Sequence, residues 1–299
     1  MTQSIADGQF PAGTRSITDT LPAIARAHLP SDVAERWLAL VRPSARLVPA
    51  AEGDEPAAVL GGLPRLPDGV EWPAWEGHGP LAFIASVDCA ALPVGELDLP
   101  LPADGTLSFF YFDGRIDDGL EVVDPGDPET QAGARVVYVP AGTPVSERES
   151  PAGAEAYPRV PLAVRLEDTA PDSWNPVVEA EFAKDLGDGE RIDDHPVHGT
   201  EFCHALWRRD GEPAHRIGGW ADEIQASVEL EVAHGVLGVE WDDPRVAAEA
   251  REWTLLAQFD SDGATDMMWG DAGALYWLIR REDLAERRFE RAVLTWQCG

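Results

Sequence analysis

Four short stretches hold the residues best equipped for chemistry. His215-Arg216-Ile217-Gly218-Gly219-Trp220 sets an imidazole and a guanidinium beside a glycine pair. The first can move a proton near neutral pH, the second can grip a carboxylate, and glycines let a ligand approach the backbone. A structural turn accounts for the same residues. Asp260, Asp262, Asp266 and Asp271, with Trp269 and Gly270, form an acidic connection whose oxygens suit Ca²⁺ or Mg²⁺. Its Asp-x-Asp-Gly order lacks the third ligand position and terminal glutamate of an EF-hand loop, and turn capping is the plainer account. The stretch from Asp193 to His204, with Asp194, His195, His198 and Cys203, carries zinc-type ligands at a spacing that fits no Cys/His scheme. Gly61-Gly62 with Trp72 and Trp75 make either the rim of a ligand pocket or aromatic packing under a long loop. Nucleophilic hydrolysis has less support, because there is no Gly-x-Ser-x-Gly and Cys89, Cys203 and Cys298 sit in no motif that activates a thiolate.

These residues must be positioned by strands. Leu255 to Phe259 and Ala274 to Ile279 are apolar runs that read as central strands of a long-looped hairpin bearing the acidic turn. Arg280 to Ala292 then reads as a short helix with Leu284 inward and Asp283 paired to Arg287, and Ala292 to Trp296 as a terminal strand. Further strands are expected at 45–48, 81–87, 107–112, 120–123, 135–139 and 160–166, and a half-exposed one at Ala226 to Ala233 with Glu229 and Glu231 outward. Helices are expected at 16–29 and, capped by Ser31, at 32–41, a hairpin covering a sheet face. Two more are expected from Ser173 or Asn175 to Leu186 and from Pro244 to about Glu252.

The C-terminal hairpin has a counterpart earlier in the chain. Aligning Ala85 with Ala257 also aligns Val87 with Phe259 and Asp88 with Asp260, and the next strands, Gly105 to Phe110 and Gly273 to Leu278, correspond in turn. The expected fold is therefore α+β, with internally duplicated antiparallel sheets around a pseudo-twofold axis and flanking helices. Its organisation would be a loose N-terminus (1–15) and one domain (16–299). That domain comprises a helical hairpin (16–42) and halves at about 44–166 and 172–299.

A formal net charge of −31, from 54 acidic against 23 basic residues with Lys184 the single lysine, repels phosphate backbones and anionic membranes and attracts cations or a basic protein. The same charge also serves solubility. Three cysteines without Cys-x-x-Cys suggest a reducing compartment, and strand-sized apolar runs suggest no membrane span, so a cytoplasmic location is expected.

LGGLPRLPDGVEWP at Leu60 to Pro73, LAFIASVD at Leu81 to Asp88, Leu101 to Phe112, HRIGGW, LLAQFDSD, WGDAGALYWLI and the terminal Gln297-Cys298 occur in an order that resembles the YwqG-like bacterial family of unknown function. The resemblance spans about Leu60 to Gly299 and leaves 151–210 unmatched. It implies a single α+β domain with a repeated antiparallel sheet, and a link to toxin and immunity components of bacterial competition. The combined expectation is a non-catalytic, immunity-like module that binds a basic protein. The rival is a small-molecule or divalent-cation-binding protein, or an enzyme, using His215, Arg216 and the acidic turn.

Overall fold

Most backbone donors and acceptors of the extended stretches are satisfied in a single ten-stranded antiparallel sheet. The computed structural model describes residues 20–115, 119, 121–207 and 213–299, so the expectation for 1–15 lies outside it. In chain order the described elements are α1 (Leu21–His28), α2 (Ser31–Leu38), β1 (Arg42–Pro49), β2 (Ala58–Leu60), β3 (Arg65–Pro67), β4 (Ala74–Trp75), β5 (Gly79–Pro80), β6 (Ala82–Asp88), β7 (Thr106–Tyr111), β8 (Ala134–Val139), β9 (Val145–Glu147) and β10 (Val160–Thr169). They continue with α3 (Pro176–Phe182), α4 (Thr200–Trp207), β11 (Arg216–Ile217), α5 (Val228–Leu237), α6 (Pro244–Ala250), β12 (Trp253–Asp260), β13 (Ala274–Arg280), α7 (Arg281–Ala285) and β14 (Val293–Gln297). The sheet order is β14-β13-β12-β11-β1-β10-β2-β6-β7-β8, with β3-β9 and β4-β5 as separate small ladders.

From the central β1–β10 pair outward, both arms are built alike. In one, Leu60 pairs with Ala85, the register of β6 on β7 slips between Phe83 and Ala85, and the Gly61 N–H donates to the Ile84 carbonyl. In the other, Ile217 pairs with Ala257, β12 slips between Leu255 and Ala257, and the Gly218 N–H donates to the Leu256 carbonyl. A bulge lets two successive side chains face one way. Ile84 with Ala85, and Leu256 with Ala257, accordingly all enter the same core.

That core fills the concave side of the curled sheet. Phe109 from one arm meets Phe259 and Trp277 from the other at ring separations of 5.1 and 5.3 Å. The outer faces are covered differently. Trp72, Trp75 and Leu66 pack on Phe83 and Phe110 in the first arm, whereas α5 lays Val228 and Val232 on Leu255, Tyr276 and Leu278 in the second. The sheet is nearly closed, since its two edges approach each other. Gln131, just before β8, donates from Nε2 to the Leu294 carbonyl (3.0 Å) and accepts the Leu294 N–H at Oε1 (2.9 Å), so one side-chain amide stands in for a strand against β14. Capping an exposed edge in this way withdraws it from pairing with other chains.

Several expectations are corrected. Ala226 to Ala233 is not a strand but the start of α5, for alternating Val and Glu suit either period. Ser227, whose Oγ accepts the Leu230 N–H, and Gly238, at φ +59°, are the two caps that decide it. Its Glu229 is buried rather than outward. Glu121 to Val123 is irregular, because Asp124 begins a turn bound through Thr130; Leu120 lies outside the described residues. The α1–α2 hairpin packs on α3 and α4, with Trp37 edge-on to Phe202, instead of covering the sheet. Ser31 is the first residue of α2 rather than its cap, and Asp283 pairs with Arg288, not Arg287.

Gln131→Ala removes both bonds of the edge clasp. It is expected to lower unfolding stability by about 1–3 kcal/mol and to speed amide exchange in β14 more than in the central β1–β10 pair, as hydrogen-exchange mass spectrometry would read.

Candidate functional site

In an extended chain, successive side chains leave opposite faces. His215 and Ile217 therefore turn to the concave core while Arg216 between them turns away, and the two polar groups of this hexapeptide serve different surroundings. The imidazole is fully bonded. The Asp260 N–H donates to Nδ1 (3.1 Å), which places the ring proton on Nε2, and Nε2 meets Asp262 Oδ2 at 3.0 Å. That bond to His215, with the Ala264 N–H on Oδ1 (2.6 Å), holds the Asp262 carboxyl below its ordinary range against the opposing effect of burial. Asp260 is engaged as well, accepting the Ala214 N–H and the Gln258 amide.

Arg216 is buried on the other face, where its guanidinium donates to the Ala214 and Trp220 carbonyls and lies 3.9 Å from Asp222. Gly218 and Gly219 have φ near +70°, and a Cβ on Gly219 would fall 2.5 Å from Thr169 Oγ1. The glycine pair admits neighbouring protein atoms. Trp220 is tied by its indole N–H to the Leu40 carbonyl (2.8 Å) and lies under the Arg42 guanidinium (3.8 Å).

The remaining stretches are equally placed by packing. A Cβ on Gly61 would fall 2.2 Å from the Pro158 carbonyl oxygen, and Gly62 faces Arg159. Trp72 donates to the Leu81 carbonyl and stands edge-on to Phe110. In the acidic turn, Trp269 is buried between Tyr111 and Tyr157, Asp266 is exposed at φ +56°, and the Asp271 carbonyl accepts the Gly299 N–H. The Asp260 and Asp262 carboxylates thus serve different partners, and Asp266 stands exposed apart from them. His195 accepts the Val197 N–H and lies 3.4 Å from Asp185, while His198 rests against Trp174 with both ring nitrogens buried and burial lowering its affinity for a proton. Among the described residues no three His, Cys, Asp or Glu side chains gather as a metal would require.

The concavity of most consequence lies behind Arg216, where the end of β10, the 170–173 segment, α4 and the turn after Trp220 leave a pocket of about 120 Å³. Glu167, Asp168, Asp172, Asp222 and Glu223 line it together with Arg216, Ser173 and Cys203. Glu167 is paired with Arg46 at 3.2 Å, and Asp172 Oδ1 accepts the Trp174 N–H. Burial first, then the negative charges of Glu229 and Asp172, push the Glu223 carboxyl well above the ordinary carboxylate range. Trp174 and Ile224, each next in the chain to a lining residue, are 50% and 42% exposed. Sequence reasoning reached Arg216 but not this acidic wall, because its members are scattered over some sixty positions and only the meeting of β10 with the 220–223 turn joins them.

A folded-state carboxyl held below its free value adds stability that is present above that value and lost as pH falls through the native one. Asp262→Asn, which leaves His215 facing a poorer acceptor, is expected to cost about 1–3 kcal/mol at neutral pH. It should also flatten the loss of stability below the ordinary value of 3.8. Denaturant unfolding across the acid range would check both.

No described helix is long and apolar enough to cross a membrane. No curated protein matches the chain. Residues 58–298, from the first residue of β2 to one past the end of β14, match the model of a family described as Domain of unknown function (DUF1963), and the chain belongs to that family.

Proposed function

We propose that this is a cytoplasmic, non-catalytic binding module that recognises a basic protein by taking an arginine or lysine side chain into the acidic pocket behind Arg216. The observation that carries the reading is the pocket wall itself. Five of its lining residues are acidic against one arginine, in a chain whose net charge is −31. Such a field draws cations toward the molecule, and a low-dielectric concavity strengthens it locally. Trp174 and Ile224 offer apolar surface on which the methylene stem of an inserted side chain can lie. The immunity-like role that the YwqG-like resemblance implies is the case in which the basic partner is a toxin.

The two-armed sheet supports a second element of the reading, an origin by internal duplication about an axis through the β1–β10 pair. Matching registers at Leu60–Ala85 and Ile217–Ala257, and register slips that leave out Ile84 and Leu256, are what such an origin would leave behind.

Titration with an arginine-rich peptide at low salt is expected to give saturable binding that weakens as salt is raised, with a glutamate-rich peptide inert. Asp168→Asn combined with Asp172→Asn is expected to weaken it by about tenfold or more, the scale of a lost charge-assisted contact. Binding that is indifferent to both substitutions, or absent at low salt, would overturn the pocket as the docking point.

A further inference from the structure

Strand β10 runs for ten residues, but one of its sides is paired over only part of that length. The Pro161 carbonyl accepts the Ala50 N–H from the β1 side, and the Leu162 carbonyl accepts the Ala57 N–H from the β2 side. In an antiparallel ladder successive residues turn their backbone groups to opposite neighbours. Leu162, Val164 and Leu166 therefore all address the β2 side, which β2 itself covers only at 160–162. Past that point the Val164 carbonyl accepts from Arg165 Nη1 at 2.9 Å, while the Leu166 N–H and carbonyl meet no partner among the described residues. Leu166 is 48% exposed, although Ala45, opposite it on β1, is fully buried.

Along this open edge runs a groove of about 410 Å³, lined by Val164, Arg165 and Leu166 together with Asp54, Glu55, Leu92 and Pro93. The two faces of β10 differ there. Val164 and Leu166 lie opposite Leu47 and Ala45 of the concave core, whereas Arg165 and Glu167 stand on the outer face with Arg46. Asp54 meets Arg165 at 2.7 Å on that outer face. Two acids against one arginine line the groove, and the next residues of β10, Glu167 and Asp168, already belong to the pocket behind Arg216. At about 3.3 Å per residue the open edge leads into that pocket within two residues.

We propose that the open edge of β10 takes up an extended, basic segment of a partner protein as an added antiparallel strand. Its main chain pairs with Leu166, its alternate side chains are arginine or lysine toward Asp54, Glu55 and Glu167, and those between are apolar toward Leu92. An unpaired row of N–H and carbonyl groups is a template for another chain, and strand addition uses main-chain bonds for affinity and alternate side chains for selectivity. The choice of a basic segment rests on the acidic-pocket reading, whereas the strand addition rests on the edge itself.

The test is titration of the full chain at low salt with the peptide Arg-Val-Arg-Val-Arg, blocked at both ends. Amide exchange resolved to single residues is expected to show the Leu166 N–H slowed by about tenfold or more at saturation. A residue directly opposite Leu166 shares its face, so the valines are the ones that bond it. N-methylation of both valines is expected to weaken binding by about tenfold or more, the scale of a lost hydrogen bond, and N-methylation of the central arginine to leave it unchanged. Equal effects at valine and arginine, unchanged exchange at Leu166, or no binding of this peptide would overturn the added strand, and none of these bears on an arginine-rich peptide held by the pocket alone. Protection of Leu166 that persists when Asp168→Asn and Asp172→Asn are combined supports the strand even where the pocket fails as the docking point.

Discussion

The rest of the molecule depends on how the sheet disposes of its concave face. Ten antiparallel strands cannot lie flat with one side apolar, and twist brings the two ends round until their side chains fill the same space. Phe109, Phe259 and Trp277 meet there from opposite arms, and the register slips at Ile84 and Leu256 add inward side chains to the same core. The remaining gap is spanned by the Gln131 amide, which gives Leu294 the donor and acceptor that a neighbouring strand would have supplied.

This curl sets the chemistry on either side of β11. Toward the core, a histidine can be tolerated only with both nitrogens occupied, and Asp260 and Asp262 do so. On the outer side, Arg216 is held by backbone carbonyls, and the same outer side meets the end of β10 to leave a pocket. Polar groups inside a low-dielectric body must be bonded, and here the requirement uses up most of the residues whose types suggest chemistry. The carboxylates of Glu167, Asp168, Asp172, Asp222 and Glu223 line the pocket on that outer side.

The two arms match in strand register at Leu60–Ala85 and Ile217–Ala257 but differ in their outer coverings. Tryptophans of the 65–81 segment cover one, and α5 covers the other. Helix α5 brings with it Glu229 and, through Asn175, a tie to the helices that precede the sheet. The acidic pocket lies beside this tie, where the end of β10 and the 221–223 turn meet the helices.

The strands were legible because their composition is local information. LAFIASVD, LSFFYF, LLAQFD and ALYWLI are β-branched and aromatic runs bounded by glycine, aspartate and proline, and they form β6, β7, β12 and β13 within a residue or two. The helix at Pro176 was legible for a similar reason, since Asn175 caps it and proline suits its first turn. At Ala226 to Ala233 the local signal was ambiguous, and burial of Glu229 by Asn175, fifty-four positions away, went with the helical outcome. Likewise the sequence by itself determined that His215, Arg216 and the aspartates were the polar groups near the sheet, together with the acidity of the whole. Which of them share a site was decided by tertiary structure alone, because strand alternation parts His215 from Arg216 and the fold gathers Asp172, Glu223 and Glu229 from separate elements.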